Sequence, residues 1–137
     1  MSKFFIDQNG KYIGGFDGAT PPVNAIEIPS APEHAENIWD GTSWVKSPEQ
    51  IIQELEQAID KHIDSVAKAD KWDSRITCTM RAGYPNPRQN KAIAFGQWMD
   101  ACYAHCIQVQ ADVVAGLRPV PTEAELIAEL PVMVWPK

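Results

Sequence analysis

The chain has 137 residues, of which 45% are hydrophobic and 22% charged, and a formal net charge of −6. That is the size and balance of a folded chain with a modest core. An acidic total with no basic cluster argues against nucleic acid, whose phosphates reward grouped Lys and Arg, and no run reaches the roughly eighteen apolar residues of a membrane span.

Residues 1–46 carry turn formers and little helical periodicity. The opening Met1-Ser-Lys-Phe-Phe-Ile-Asp7 is interrupted too soon for a signal peptide. Lys3–Ile6 and Lys11–Gly14 flank Asp7-Gln-Asn-Gly10, where Asn9-Gly10 can supply the positive φ angles of a tight hairpin. Pro21-Pro22 interrupts, and Ala25-Ile-Glu-Ile28 alternates as a short strand does. Two apolar-aromatic stretches in Ile38–Val45 are joined by an Asp40-Gly41 turn signal.

Ser47-Pro-Glu-Gln50 then has the form of a capping box with proline at the first helical position. Ile51, Ile52, Leu55, Ala58, Ile59, His62, Ile63 and Val66 recur every three or four residues, predicting one apolar stripe on a helix to about residue 70. His62 on that stripe reads as a core-boundary histidine with hydrogen-bonded ring nitrogens, and the acidic residues opposite as a solvated face. Residues 71–86 fit either a short helix after a kink or an extended Ile76–Thr79, ended by Gly83 and Pro85. Asn86-Pro-Arg-Gln89 repeats the start signal, with Asn86 as the cap, for a helix to about Ala115. Its apolar positions, from Ala92 to Val113, are wider than one stripe and predict burial on more than one side. Thr122-Glu-Ala-Glu125 is a third capping signal, opening a short helix that stops before Pro131. The expected fold class is α+β: a small N-terminal antiparallel β-meander over 1–46, then a helical hairpin-like region over 47–137 with an extended C-terminal tail.

Chemistry is harder to find. Cys102-Tyr-Ala-His-Cys106 offers three soft ligands, but structural zinc needs four that converge. His105 and Cys106 are adjacent on a helix and point about 100° apart, a poor arrangement for an activated thiolate. Small buried thiols, reduced in the absence of a secretion signal, are the expected reading. Gly14-Gly15-Phe-Asp-Gly18 lacks the spacing of a phosphate cradle, and no Ser-His-Asp order or HExxH occurs. No enzyme, cofactor or metal is therefore expected, and a binding role is favoured. The five tryptophans divide into expected core residues, Trp72 and Trp98, and candidates for a partner surface, Trp39, Trp44 and Trp135, joined by Tyr84.

Tyr12-Ile-Gly-Gly-Phe16, the Pro-Pro step, Ala25-Ile-Glu-Ile28, Ile38-Trp-Asp-Gly-Thr-Ser-Trp44 and Val134-Trp-Pro-Lys137, in this order, resemble the tail-fibre assembly proteins, or fibre chaperones, of tailed bacteriophages. The resemblance implies a small protein of the host cytoplasm that binds a tail-fibre or receptor-binding protein and aids its trimerisation. In some systems such a chaperone stays at the fibre tip. Two departures are evident: the Thr122 capping segment follows the aromatic helix rather than preceding it, and Arg81–Pro87 has no counterpart in that pattern. The alternatives are a permanent structural protein of the virion tail tip and a small Cys/His metal-binding regulator using Cys102, His105 and Cys106. A homo-oligomer, or several copies per fibre trimer, is compatible with the short strands, whose edges can pair. With Trp135 as the tail's anchor, Trp135→Ala is expected to weaken a partner complex more than the fold.

Overall fold

The computed structural model describes residues 2–137 and forms two compact units, Met1–Ile51 and Ile52–Lys137. The architecture is α+β, with a small antiparallel sheet region followed by helices.

In the first unit β1 (Lys3–Ile6), β2 (Tyr12–Phe16) and β3 (Ile26–Ile28) form an antiparallel sheet of order β2-β1-β3. The strands are therefore not a sequential meander: β3 returns to the free edge of β1. Burial on both faces explains this: Ile6 of β1 is buried on the same face as Ile28 of β3, and Phe5, on the opposite face, is buried edge-on to Phe16 of β2 at 5.6 Å, which a central β1 serves best. The β1–β2 turn also differs from the expected one. Only Gly10 has positive φ (83°); the turn is held instead by the Asp7 carboxylate, which accepts from the Asn9 and Lys11 amides at 2.8 and 2.9 Å. Gly10 is obligatory here, since a Cβ would lie 2.4 Å from the Trp39 carbonyl oxygen.

The two-residue strands β4 (Ile38–Trp39) and β5 (Trp44–Val45) form a separate hairpin. Its Asp40-Gly41 turn follows the sequence: Asp40 accepts from the Thr42 and Ser43 amides at 2.8 Å, and Gly41 sits at φ 103°. Those amides, Ser43 first, hold the Asp40 carboxyl below its usual range. Ser47 and Gln50 make the predicted reciprocal box, with Gln50 N–H donating to Ser47 Oγ (3.2 Å) and Ser47 N–H to Gln50 Oε1 (2.8 Å). Asn37, itself buried, donates to the Gln50 side chain at 3.3 Å, so the first turn of the long helix belongs to this unit.

The second unit is built on α1 (Pro48–Ala69) and α3 (Gln89–Val114), with α2 (Arg75–Met80), a 3-10 turn (Arg81–Gly83) and α4 (Glu123–Glu129) attached. Leu55, Ile59, Ile63 and Ala67 of α1 repeat every fourth residue and are all buried. They share the core with Ala92, Phe95, Trp98, Cys102, Cys106 and Val109 of α3. The helices run antiparallel, as a hairpin does: Gln110 donates to the Ile52 carbonyl (3.1 Å), Tyr103 to Asp60 (2.6 Å), and Lys91 meets Asp70 (3.2 Å). Burial and the Asp60 carboxylate push the Tyr103 hydroxyl up to about 12. His62 is half-buried with its ring edge-on to Trp98 at 5.9 Å, and burial lowers its pKa.

Residues 75–80 are helical rather than extended. Ser74 accepts from the Ile76 and Thr77 amides and Thr77 Oγ1 accepts from Ser74 N–H, a capping box with Thr in place of Glu or Gln. Arg75 anchors the element on α1, 2.6 Å from Asp64 and 3.6 Å from Asp60. The start of α3 departs from expectation. Asn86 is not its N-cap: it closes the preceding loop, donating to the Arg81 and Tyr84 carbonyls at 2.8 and 2.7 Å, and the helix begins at Gln89. Thr122 caps α4 by accepting from Glu125 N–H at 3.1 Å.

Candidate partner-binding surfaces

The residues singled out by sequence fall into separate places. In the first unit, Trp39 and Trp44 face each other across the β4–β5 hairpin, ring centroids 5.4 Å apart and nearly perpendicular. Tyr12 adds a second edge contact to Trp44 at 5.8 Å, and the Trp44 indole donates to the Ser30 carbonyl at 3.1 Å. Both indoles are half-buried, so this aromatic cluster holds the small hairpin together while leaving ring surface accessible.

In the second unit, Trp135 lies parallel to Phe95, centroids 5.6 Å apart at 9°, with the Lys91 ammonium 5.7 Å from the indole. Trp98 donates to the Pro131 carbonyl at 2.6 Å. The C-terminal tail is thus fastened to its own unit at two points, and Val132 and Val134 between them remain exposed. Trp72 and Trp98 are both buried.

Tyr84, half exposed, borders a cleft of about 300 Å³ with Lys71, Trp72, Met80, Arg81 and Arg88. The Arg88 guanidinium lies flat over the Trp72 ring at 3.5 Å and donates to the Asp70 carbonyl at 3.0 Å. Asp70 also accepts from the Trp72 indole (3.2 Å) and pairs with Lys91 and Arg88 (3.2 and 3.5 Å). Sequence reading missed this group; the available signal was only a cationic residue beside Pro87, which says nothing about the ring it covers.

The wide apolar surface predicted for α3 is not covered on more than one side. Its buried residues form a single stripe, and the opposite face carries Ile93 (40% exposed), Ile107 (66%) and Val114 (54%) with Ala104 and Ala111 between them. Ile93, Asp100, Ile107 and Val114 recur every seven residues, and Gln97, Ala104 and Ala111 alternate with them, a heptad-like seam on a solvent-facing helix.

Cys78, Cys102 and Cys106 are free and buried, and burial pushes each thiol up to about 11. His105 turns to Glu129 (3.3 Å), whose carboxyl is lowered to about 2, chiefly by the Arg118 guanidinium on it at 2.9 Å. Among the described residues no three His, Cys, Asp or Glu side chains converge to hold a metal ion, and no helix is long and apolar enough to cross a membrane. Raised, buried thiols are poor nucleophiles. In the folded protein at pH 8 all three cysteines are therefore expected to react with a chromogenic disulfide at least about 100-fold more slowly than in denaturant, following the thiolate fraction and access. Fast native labelling of Cys102 or Cys106 would reopen the Cys/His reading.

No family model, curated protein or solved structure matches this chain.

Proposed function

We propose that the chain works by holding another protein, a phage tail-fibre or receptor-binding protein, and that it aids folding and trimerisation of that protein during assembly in the host cytoplasm. The observation that carries the binding role is the outward face of α3. A helix of this length in water ordinarily turns charged residues outward, yet between Lys91 and Asp112 the exposed face offers Asp100 as its one charged side chain. Ile93, Ile107 and Val114 each stand to gain about 1.5–3 kcal/mol on full burial. The small Ala104 and Ala111 between them let a partner backbone come close. The fibre as partner rests on the ordered motifs from Tyr12 to Trp135 described above. An intertwined trimer buries little of its apolar surface until its chains associate, and a subunit that covers such surface meanwhile suppresses aggregation.

Co-expression decides the matter. The proposed fibre partner is expected to be soluble and trimeric only when both are made, and to retain the chain on purification. Ile107→Glu should reduce that retention while leaving the circular dichroism unchanged, because the side chain is already in solvent. A fibre that is soluble, trimeric and competent to adsorb to cells when made alone would remove the chaperone role.

A further inference from the structure

The cleft beside Trp72 is distinct from the α3 face and has a different character. Its walls come from the segment after α1, from α2 and from the turn that follows. Three cations line it, Lys71, Arg81 and Arg88, against a single acid, Asp73. Arg88 is already engaged, stacked on Trp72 and paired with Asp70. Lys71 and Arg81 are exposed, and neither side chain meets a carboxylate among the described residues. With Arg88 offset by Asp70, Lys71 and Arg81 against Asp73 leave the cleft one net positive charge, the reverse in sign of a chain whose formal net charge is −6. Such a reversal focuses the local field on negative groups while the rest of the surface repels them.

Apolar side chains accompany the charge. Met80 (66% exposed) and Tyr84 (47%) line the cleft, and Ile76 (61%) lies one turn before Met80 on the same face of α2. Methionine adapts its shape to varied partners and tyrosine offers flat, amphipathic contact. A bare inorganic anion would use none of these three. At about 300 Å³ the cleft is also at the lower limit of pockets that enclose a small molecule, which suits a few side chains of a longer segment.

We propose that this cleft docks an acidic segment of a protein partner, its carboxylates directed at Lys71 and Arg81 and an aliphatic side chain laid on Met80 and Tyr84. Arg88, held flat by Trp72 and Asp70, acts as the fixed wall. The assignment rests on the protein-binding role argued above and specifies the chemistry of one contact. It does not require that the partner be a fibre.

The test uses the full chain and a short capped peptide alternating Glu and Leu, followed by nuclear magnetic resonance at the Trp72 indole N–H and the Met80 methyl. Saturable shifts at both sites are expected, with affinity falling at least about tenfold in Lys71→Glu/Arg81→Glu. Both positions are solvent-facing, and Lys71→Gln/Arg81→Gln, with a smaller loss expected, serves if the charge reversal disturbs the fold. A Lys/Leu peptide that shifts the same signals equally would overturn the proposal, as would Glu/Leu binding indifferent to both double variants. Shifts produced by inorganic phosphate but not by the Glu/Leu peptide would make this a small-anion site and overturn it also. No response to the Glu/Leu peptide, with fibre retention intact in the charge-reversed protein, would remove the cleft while leaving the chaperone role in place. Peptide binding as expected, with no fibre retained by the wild-type chain, would support the cleft and remove the chaperone role.

Discussion

Replacing Phe95 with Ala is expected to lower the unfolding free energy by about 3–5 kcal/mol, the range for truncating a fully buried aromatic. Phe95 has no exposed surface and lies between two indoles: Trp135 stacked in parallel at 5.6 Å and Trp98 tilted at 5.5 Å. Truncation leaves a cavity at that junction and takes away the platform on which the tail's Trp135 rests. The denaturant midpoint, followed by tryptophan fluorescence, should fall with little change in slope, because the native surface is otherwise kept. Phe95→Leu, which conserves most of the volume, should cost under about 1.5 kcal/mol. An unchanged midpoint for the alanine variant would show that the stacked pair lies outside the cooperative core. The same geometry qualifies the expectation for Trp135→Ala: the indole has a partner inside its own unit, so its removal should also register in stability.

Leu126→Ala is expected to cost about 2–5 kcal/mol, and the loss should be local before it is global. Helix α4 has seven residues, well short of the roughly 12–15 at which an isolated helix becomes even marginal. Its order must therefore come from docking. Leu126 is fully buried, and Lys61–Glu123 (3.5 Å) and His105–Glu129 (3.3 Å) place the helix over the groove between α1 and α3. The Thr122 cap and the two-pronged Arg118–Glu129 pair remain after the substitution, but a cap is worth about 1 kcal/mol and exposed ion pairs about 0–1. These cannot replace the lost burial. Amide exchange in α4 should approach that of an open chain while α1 and α3 stay protected. A uniform loss of protection through all the helices would show instead that α4 unfolds only with the whole unit.

Much of the local structure was legible from residue order. The four-residue repeat of Leu55, Ile59, Ile63 and Ala67 and the Ser47–Gln50 box predict α1 and its start, because helix geometry and orphan amides are properties of the segment itself. Residues 71–86 were ambiguous for a physical reason. The box at Ser74 uses Thr77, a weaker signal than Glu or Gln, and the helix is stabilised from outside by Asp64 and Asp60 on Arg75. Asn86 misleads because it does part of what a cap does: its Oδ1 accepts from Arg88 N–H at 2.9 Å, but Arg88 stands before the helix, and the Asn86 amide nitrogen is tied back to the Arg81 and Tyr84 carbonyls, which local pattern does not reveal. The cation stacked on Trp72 was likewise invisible, since residues distant in the chain meet only when α1 and α3 run antiparallel.

By itself the sequence determined where the strands and the other helices lie, with 71–86 left open between helix and strand, an α+β order, and an α3 too apolar all round to be an ordinary surface helix. Only the tertiary structure decided which side of α3 is core. Periodicity specifies the angle between side chains but not which side meets a neighbour; that choice is made by residues of α1 distant in the chain. With Phe95, Trp98 and Cys102 turned inward, Ile93, Ile107 and Val114 are left to water, and they become the surface on which a partner is proposed to bind.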